Sequence, residues 1–331
     1  MELRLDPNIT SADSTATMQD IYSLHNAEAN DEVGSGITVA VMDTGVDDSH
    51  PVFENTSVTH HDFTGNGTGD AVGHGTATAG LIAQLAPGVE IVDLRIFGDS
   101  GKTSMQPIAK AYEWLVENGD TVDVCNYSWG ASSNVPSLNE LHRKSMDAGV
   151  QDVVAAGNTG KRGGSPATAE GAFSVGAVTE DGDLTRFSSY NPERDNPDVS
   201  AIGKNVKLPR ASGTSMGTVI DDDYVKASGT SFAAPITAGL VARYLTQYEG
   251  GTVQAFESSA RDIETTPEDG QGIVDYGGAT SEQQTTDTAS AIAFDFLGKD
   301  VVQLGADWLD TGTYQAVRND DGSVRLVPQN E

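Results

Sequence analysis

The chain is 331 residues long, with one cysteine, 49 acidic residues against 19 basic ones and a formal net charge of −30. That balance repels polyanions and anionic lipid, which excludes nucleic acid and membrane as partners. A single cysteine excludes an intrachain disulfide, and the length suffices for one large domain with a substantial core.

Residues 1–17 read as an N-terminal arm or a short blocking peptide. The opening MELRLDPNITSADSTATMQD has no apolar run of signal-peptide length, and no later segment reaches membrane-spanning length. The location stays open: intracellular if Met1 is the true start, secreted if the chain is a trimmed mature form. Next in chain order, the apolar run Ile37–Met42 predicts a buried strand. Gly75–Leu85 predicts a helix, Val89–Phe97 a strand, and Thr103–Asn118 a helix with Ile108, Tyr112 and Leu115 on one face. Val122–Trp129 predicts a strand in which Cys125 is a small buried hydrophobe. Ser137–Ala148 predicts a helix, and Val153–Ala156 and Phe173–Val178 predict strands. Strands alternating with helices imply a three-layer α/β/α fold with a mainly parallel central sheet. In such sheets functional groups gather beyond the carboxyl ends of the strands. Asp43 and Asn158 each follow a strand, while His74 and Ser231 open helices facing the same edge.

Three contexts carry chemistry: ITVAVMDTGVDDSHP around Asp43, GHGTATAG around His74 and ASGTSFAAP around Ser231. A serine hydroxyl becomes a good nucleophile only when an imidazole takes its proton, and that imidazole needs a buried carboxylate to hold its tautomer. Alone, Asp43 reads as a strand end, His74 as a loop histidine and Ser231 as a helix N-cap. Together they read as a triad. A second near-match, ASGTSMG, offers Ser215. The run after Ser231, FAAPITAGLVARYL, has helical periodicity, so its N–H lies at a helix N-terminus where oxyanion charge is favoured. MGTVIDDDY after Ser215 is a poor helix, which makes Ser231 the nucleophile.

Over residues 18–280 these blocks, with VVAAGNTG between them, resemble the subtilisin-like serine proteases, and the order Asp, His, Ser is the one known for subtilisin. The resemblance implies endopeptidase activity on a peptide or protein substrate, with no cofactor in the chemistry. It implies Asp43 as orienting acid, His74 as general base, Ser231 as nucleophile and Asn158 as side-chain donor of the oxyanion hole. Read blandly, Asn158 is a turn residue between Gly157 and Gly160. The resemblance makes Ser128, Trp129 and Gly130 the segment that pairs with substrate backbone, with Trp129 lining a pocket or packing in the core. Gly157 borders the site. Gly163 and Gly164 fall at the base of the primary pocket, leaving volume for a large apolar P1 side chain. Pro166 matches a position with a cis peptide bond.

The chain departs from that family at Ala77, where a second histidine is usual. Val52 and the short QLAPG link speak against the family's strong calcium loop. HDFTGNGTGD offers other oxygen ligands for structural Ca2+ in Asp62, Thr64, Asn66 and Asp70, against the alternative of a solvated acidic turn. Asp221–Asp223 is a weaker cation candidate. His60, His61 and Asp62 suggest zinc, but no further ligand has metal spacing.

Residues 204–226 look like an insertion that serves as a lid, an autolysis site or a partner contact. Residues 281–331 read as a polar linker and a small β-rich C-terminal extension with a hairpin turning at Asp321–Gly322, a contact for assembly. Few lysines among many carboxylates look like adaptation to brine, where a Debye length of roughly 3 Å at molar salt screens self-repulsion; a merely acidic protein is the alternative. Two rivals stay open. Asp-Thr-Gly at Asp43 also suits an aspartic protease, which needs two such carboxylates. The chain also reads as a non-catalytic protease-fold scaffold or a peptide-binding component of an assembly.

Overall fold

The computed structural model describes residues 14–30, 32–191, 193, 196–262 and 270–284, and the backbone of two strands at 314–318 and 324–328. Seven strands form one sheet: β1 (Thr38–Asp43), β2 (Ser57–Asp62), β3 (Glu90–Arg95), β4 (Val124–Tyr127), β5 (Gln151–Ala155), β6 (Ser174–Val178) and β7 (Val199–Ile202). Their order is β2-β3-β1-β4-β5-β6-β7, and every pairing is parallel. After β1 the chain moves outward to β2, and after β4 it moves the other way to β5. The carboxyl ends of β1 and β4 therefore flank a topological switch point, where loops diverge and leave a crevice. Asp43 is the last residue of β1.

The strands are near-continuous apolar runs because both faces are covered. Val39 and Val41 join one core with α2 (His74–Leu85) and α5 (Thr230–Gln247), whose buried residues include Ile82, Phe232 and Leu240. Ala40 and Met42 point the other way, into a second core with α3 (Met105–Glu117) and α4 (Pro136–Asp147). Helix, sheet and helix make the three layers. Cys125 lies in this second core with no exposure, and burial pushes its thiol well above the usual range, as for an inert hydrophobe. The expected strands and helices are present, with ends shifted by a few residues. Two strands of this sheet lacked a sequence signal. The edge strand β2 reads SVTHHD with one face exposed, and β7 is short.

The insertion folds as an antiparallel hairpin, β8 (Val206–Pro209) against β10 (Tyr224–Ala227), with the two-residue β9 (Thr218–Val219) on the far side of β10. Residues 1–13 of the expected arm lie outside the described residues. At its end, Ala16 is fully buried and exchanges backbone hydrogen bonds with Asn205 and Lys207 beside β8. Helix α1 (Met18–Leu24) follows. No helix among the described residues is long and apolar enough to cross a membrane.

The chain divides into two compact units, Met1–Ala279 and Thr280–Glu331. In the second, β11 (Tyr314–Arg318) and β12 (Val324–Pro328) pair antiparallel, with Arg318 opposite Val324. The expected turn at Asp321–Gly322 lies outside the described residues.

Candidate active site

His74 opens α2 and Asp43 closes β1. The imidazole Nδ1 lies 2.8 and 2.9 Å from the two Asp43 oxygens, and both side chains are buried. This contact needs the start of α2 to lie directly on the loop leaving β1. A Cβ on Gly75 would sit 2.1 Å from the Gly45 carbonyl, so only glycine permits the approach. Thr44 fixes the pair: its N–H donates to Asp43 at 2.8 Å and its hydroxyl accepts from Gly75 N–H at 2.8 Å. Burial works against an imidazolium at His74. The charge and hydrogen bond of Asp43, helped by the charge of Asp70, outweigh it and hold the His74 pKa above its ordinary value.

Ser231 is the second residue of α5, where the first-turn N–H groups have no partner within the helix. Its neighbour Phe232 brings its ring centroid to 5.6 Å from that of His74. Thr230 ties this helix start to the loop leaving β5. Its N–H and hydroxyl donate to Asn158 Oδ1 at 2.8 and 3.0 Å, and the same hydroxyl accepts from Gly157 N–H at 3.0 Å. A backbone N–H can be met only by the amide oxygen, so the Asn158 amide is oriented with Nδ2 turned away from Thr230. Ser215 lies in an exposed loop of the insertion hairpin, not at a helix start.

A cavity of about 390 Å3 opens beside Ser231, and Ser128, Trp129, Gly130, Asn158, Gly157 and Gly164 all border it. Two of these also make contacts within the protein. The Ser128 hydroxyl is turned to the Ser231 carbonyl, 2.8 Å away, and accepts from Asn126 Nδ2 at 2.9 Å. A Cβ on Gly164 would meet the Ala131 carbonyl at 2.1 Å, so glycine there serves close backbone packing more than pocket volume. Trp129 meets both of its readings: it borders the cavity, yet is only 3% exposed, with Phe97 and Tyr127 rings edge-on to it. The Ser165–Pro166 bond is cis.

The proposed calcium ligands serve other partners. Asp70 takes five donors: Thr44 Oγ1, the N–H groups of Val72, Gly73 and Thr76, and Thr76 Oγ1, at 2.7 to 3.0 Å. It is a clamp joining the exit of β1 to the start of α2, a role the sequence did not suggest. Asp62 accepts from Thr64 and Gly67, and Asn66 N–H donates to Thr64 Oγ1. The turn's carbonyls at Gly67 and Gly69 face the Arg95 guanidinium at 2.9 and 3.1 Å. His60 and His61 alternate along β2, so they face opposite ways: His60 to Asp93 at 2.8 Å, His61 onto the Trp114 ring. Asp221 accepts from the N–H groups of Asp223 and Tyr224, closing a turn. Among the described residues no group of three His, Cys, Asp or Glu side chains is arranged to hold a metal. Val52 packs against the core, and Ala77 is fully buried in α2.

The profile of the subtilase family matches residues 34–277, which span β1, α2 and α5. The chain belongs to the subtilase family. It is a serine endopeptidase. It is 30% identical over 310 residues to a thermostable alkaline protease of Halalkalibacterium halodurans, covering 84% of this chain and 80% of that protein. It is 32% identical over 262 residues to the alkaline serine exoprotease A of Vibrio alginolyticus, covering 73% of this chain but only 46% of that relative. A cold-adapted subtilisin-like serine proteinase of known structure superposes with a TM-score of 0.63 at 28% identity, over 76% of this subtilase and 90% of that chain. As a subtilase the protein needs no cofactor for its chemistry.

Proposed function

We propose that this subtilase hydrolyses peptide bonds through an acyl-enzyme on Ser231, with His74 as base and Asp43 as orienting acid. The observation that carries the reading is the buried pairing of His74 Nδ1 with Asp43, which leaves Nε2 on the opposite ring edge for proton transfer. Ser231 attacks the carbonyl carbon while His74 takes its proton. The oxyanion is met by the Ser231 N–H at the start of α5 and by Asn158 Nδ2. His74 then protonates the leaving amine, and water repeats the sequence to release the acid. Asp43 orients the imidazole and compensates its positive charge.

The residue preceding the scissile bond enters the cavity beside Ser231. Its volume lies within the range of about 300–1,000 Å3 usual for ligand sites, and Ala131, Ala155 and Ala156 on its wall suit a large apolar side chain. The acidic surface suits work in concentrated salt, where the −30 charge is screened. Calcium at Asp62, Thr64, Asn66 and Asp70 fits poorly: Asp70 is filled by its own donors, and Arg95 already supplies the turn with a cation.

The test is hydrolysis of a chromogenic peptide with a bulky apolar P1 in about 3 M salt. Wild type, Ser231→Ala and Ser215→Ala are compared, with fluorophosphonate labelling of each. Activity and labelling lost only in Ser231→Ala support the reading. A folded wild type that neither cleaves nor labels overturns it in favour of a non-catalytic scaffold.

A further inference from the structure

The turn that leaves β1 is held at successive residues. The Thr44 hydroxyl donates to Asp70 and accepts from Gly75 N–H. Asp47 N–H donates to Thr76 Oγ1 in α2 at 3.0 Å. Between them, Val46 N–H donates to Asp93 Oδ2 at 3.2 Å, and His60 Nδ1 lies 2.8 Å from the same oxygen. The other edge of the His60 ring places Nε2 3.4 Å from Asp48, so one imidazole serves both ends of residues 46–48.

Strand register makes this possible. Asp93 of β3 stands opposite Val41 of β1 on one side and His60 of β2 on the other, which puts the three side chains on the sheet face that α2 and α5 cover. Asp93 is 1% exposed, and its Oδ1 meets no donor among the described residues. Burying a carboxylate so incompletely satisfied is costly, and an apolar residue in its place would avoid that cost. What the carboxylate does there is receive the backbone of the turn, while His60 donates to it from outside and fixes its direction. One strand outward from the pair of Asp43 and His74, the same arrangement recurs: a buried carboxylate on a strand, met by an imidazole through Nδ1.

The place of this turn sets the catalytic pair. Gly45 precedes Val46, and its carbonyl lies so near α2 that a Cβ on Gly75 would be 2.1 Å from it. The turn and the helix start therefore touch without slack. A shift of Val46 moves Gly45 relative to Gly75, and with it the Asp43 carboxylate relative to the His74 ring. A misplacement of about 1 Å in such a support is enough to slow a reaction severely.

We propose that Asp93 and His60 are positioning residues that hold the turn after Asp43 and thereby set the contact between Asp43 and His74. The proposal rests on the peptidase reading above, in which Asp43 orients the base. Neither residue is among the described residues bordering the cavity beside Ser231, so their effect falls on kcat and not on KM.

Substitutions at His60, on the edge strand, test it. His60→Asn keeps an amide N–H where Nδ1 stands and still donates to Asp93, whereas His60→Gln carries its amide farther out, toward Asp48. With a chromogenic peptide, His60→Gln should lower kcat about tenfold with KM within about twofold of wild type. Fluorophosphonate labelling of Ser231 should slow by the same factor, because it needs the same base and no P1 side chain. His60→Asn should restore kcat to within about threefold of wild type. His61→Val, on the opposite face of the same strand against Trp114, controls for general loosening of β2: its Tm should fall without loss of kcat. Equal kcat in the Asn and Gln variants, a loss confined to KM, or a loss of kcat in His61→Val as large as in His60→Gln overturns the positioning role and leaves the peptidase reading standing. A folded wild type that neither cleaves nor labels overturns both.

Discussion

The Ser128 hydroxyl donates to the carbonyl of Ser231 at 2.8 Å, and the reason lies four residues along α5. In a regular helix that carbonyl would accept from the N–H of residue 235, which is proline and has none. The buried Ser128 supplies the missing donor from the end of β4 and thereby fixes the backbone of Ser231, the proposed nucleophile, against the central sheet. Ser128→Ala leaves a buried carbonyl unsatisfied, at a cost of about 1–3 kcal/mol. The expected outcome is a lower Tm together with a kcat/KM reduced about tenfold or more. Unchanged kinetics in a folded variant would show that the contact does not position Ser231.

Asp70 touches no reacting atom, but its carboxylate holds Thr44 and the first turn of α2, and its charge adds to the rise in the His74 pKa. The general-base action proposed for His74 needs its neutral ring, so activity should climb with pH through an apparent pKa above 6.5. Asp70→Asn keeps the shape and removes the charge. The acid limb of kcat/KM should move to lower pH, with kcat reduced. A profile superimposable on wild type would reduce Asp70 to a purely structural clamp.

His25 is fully buried between the Val274 carbonyl and Ile202 N–H, and burial lowers its pKa to about 4. The unfolded chain therefore binds more protons than the folded one between about pH 4 and 6.5, so this group stabilises above that window and loses its contribution as pH falls through it. Asp198 opposes it, because burial raises its pKa to about 7. That contribution is present at low pH and lost as pH rises. Asp198→Asn should expose the histidine's effect: between pH 4 and 6.5 the variant's unfolding free energy should climb by about 3 kcal/mol more than the parent's. Denaturant unfolding across that range provides the check, and parallel curves would contradict it.

Because Arg95 stands where a cation would serve the glycine-rich turn, chelation with EDTA should leave both Tm and kcat/KM unchanged. Arg95→Met should instead lower Tm by releasing the Gly67 and Gly69 carbonyls. A Tm lowered by EDTA and restored by added Ca2+ would place a calcium ion in the fold.

Much of the architecture was legible along the chain because strands buried on both faces must be apolar throughout and their helices must keep a 3.6-residue stripe. Strand β2 escaped because an edge strand has only one covered face, and α1 because it is short. The triad candidates were legible for a related reason: each sits in a run of Gly, Ala and Thr that close backbone approach demands, as Gly75 against Gly45 illustrates. Even the need for Ser128 was written in part, since a proline four residues after Ser231 announces a carbonyl without its donor.

By itself, then, the sequence determined the alternation of strands and helices and the order Asp43, His74, Ser231, because these depend on local periodicity and on side-chain chemistry. Only the tertiary structure decided the partners of those groups. Asp70 holds the start of a helix, the Ser128 hydroxyl meets the Ser231 carbonyl, and the insertion that carries Ser215 became a wall beside His74. Such roles depend on which segments, far apart in the chain, meet within hydrogen-bonding reach, and no local pattern encodes that.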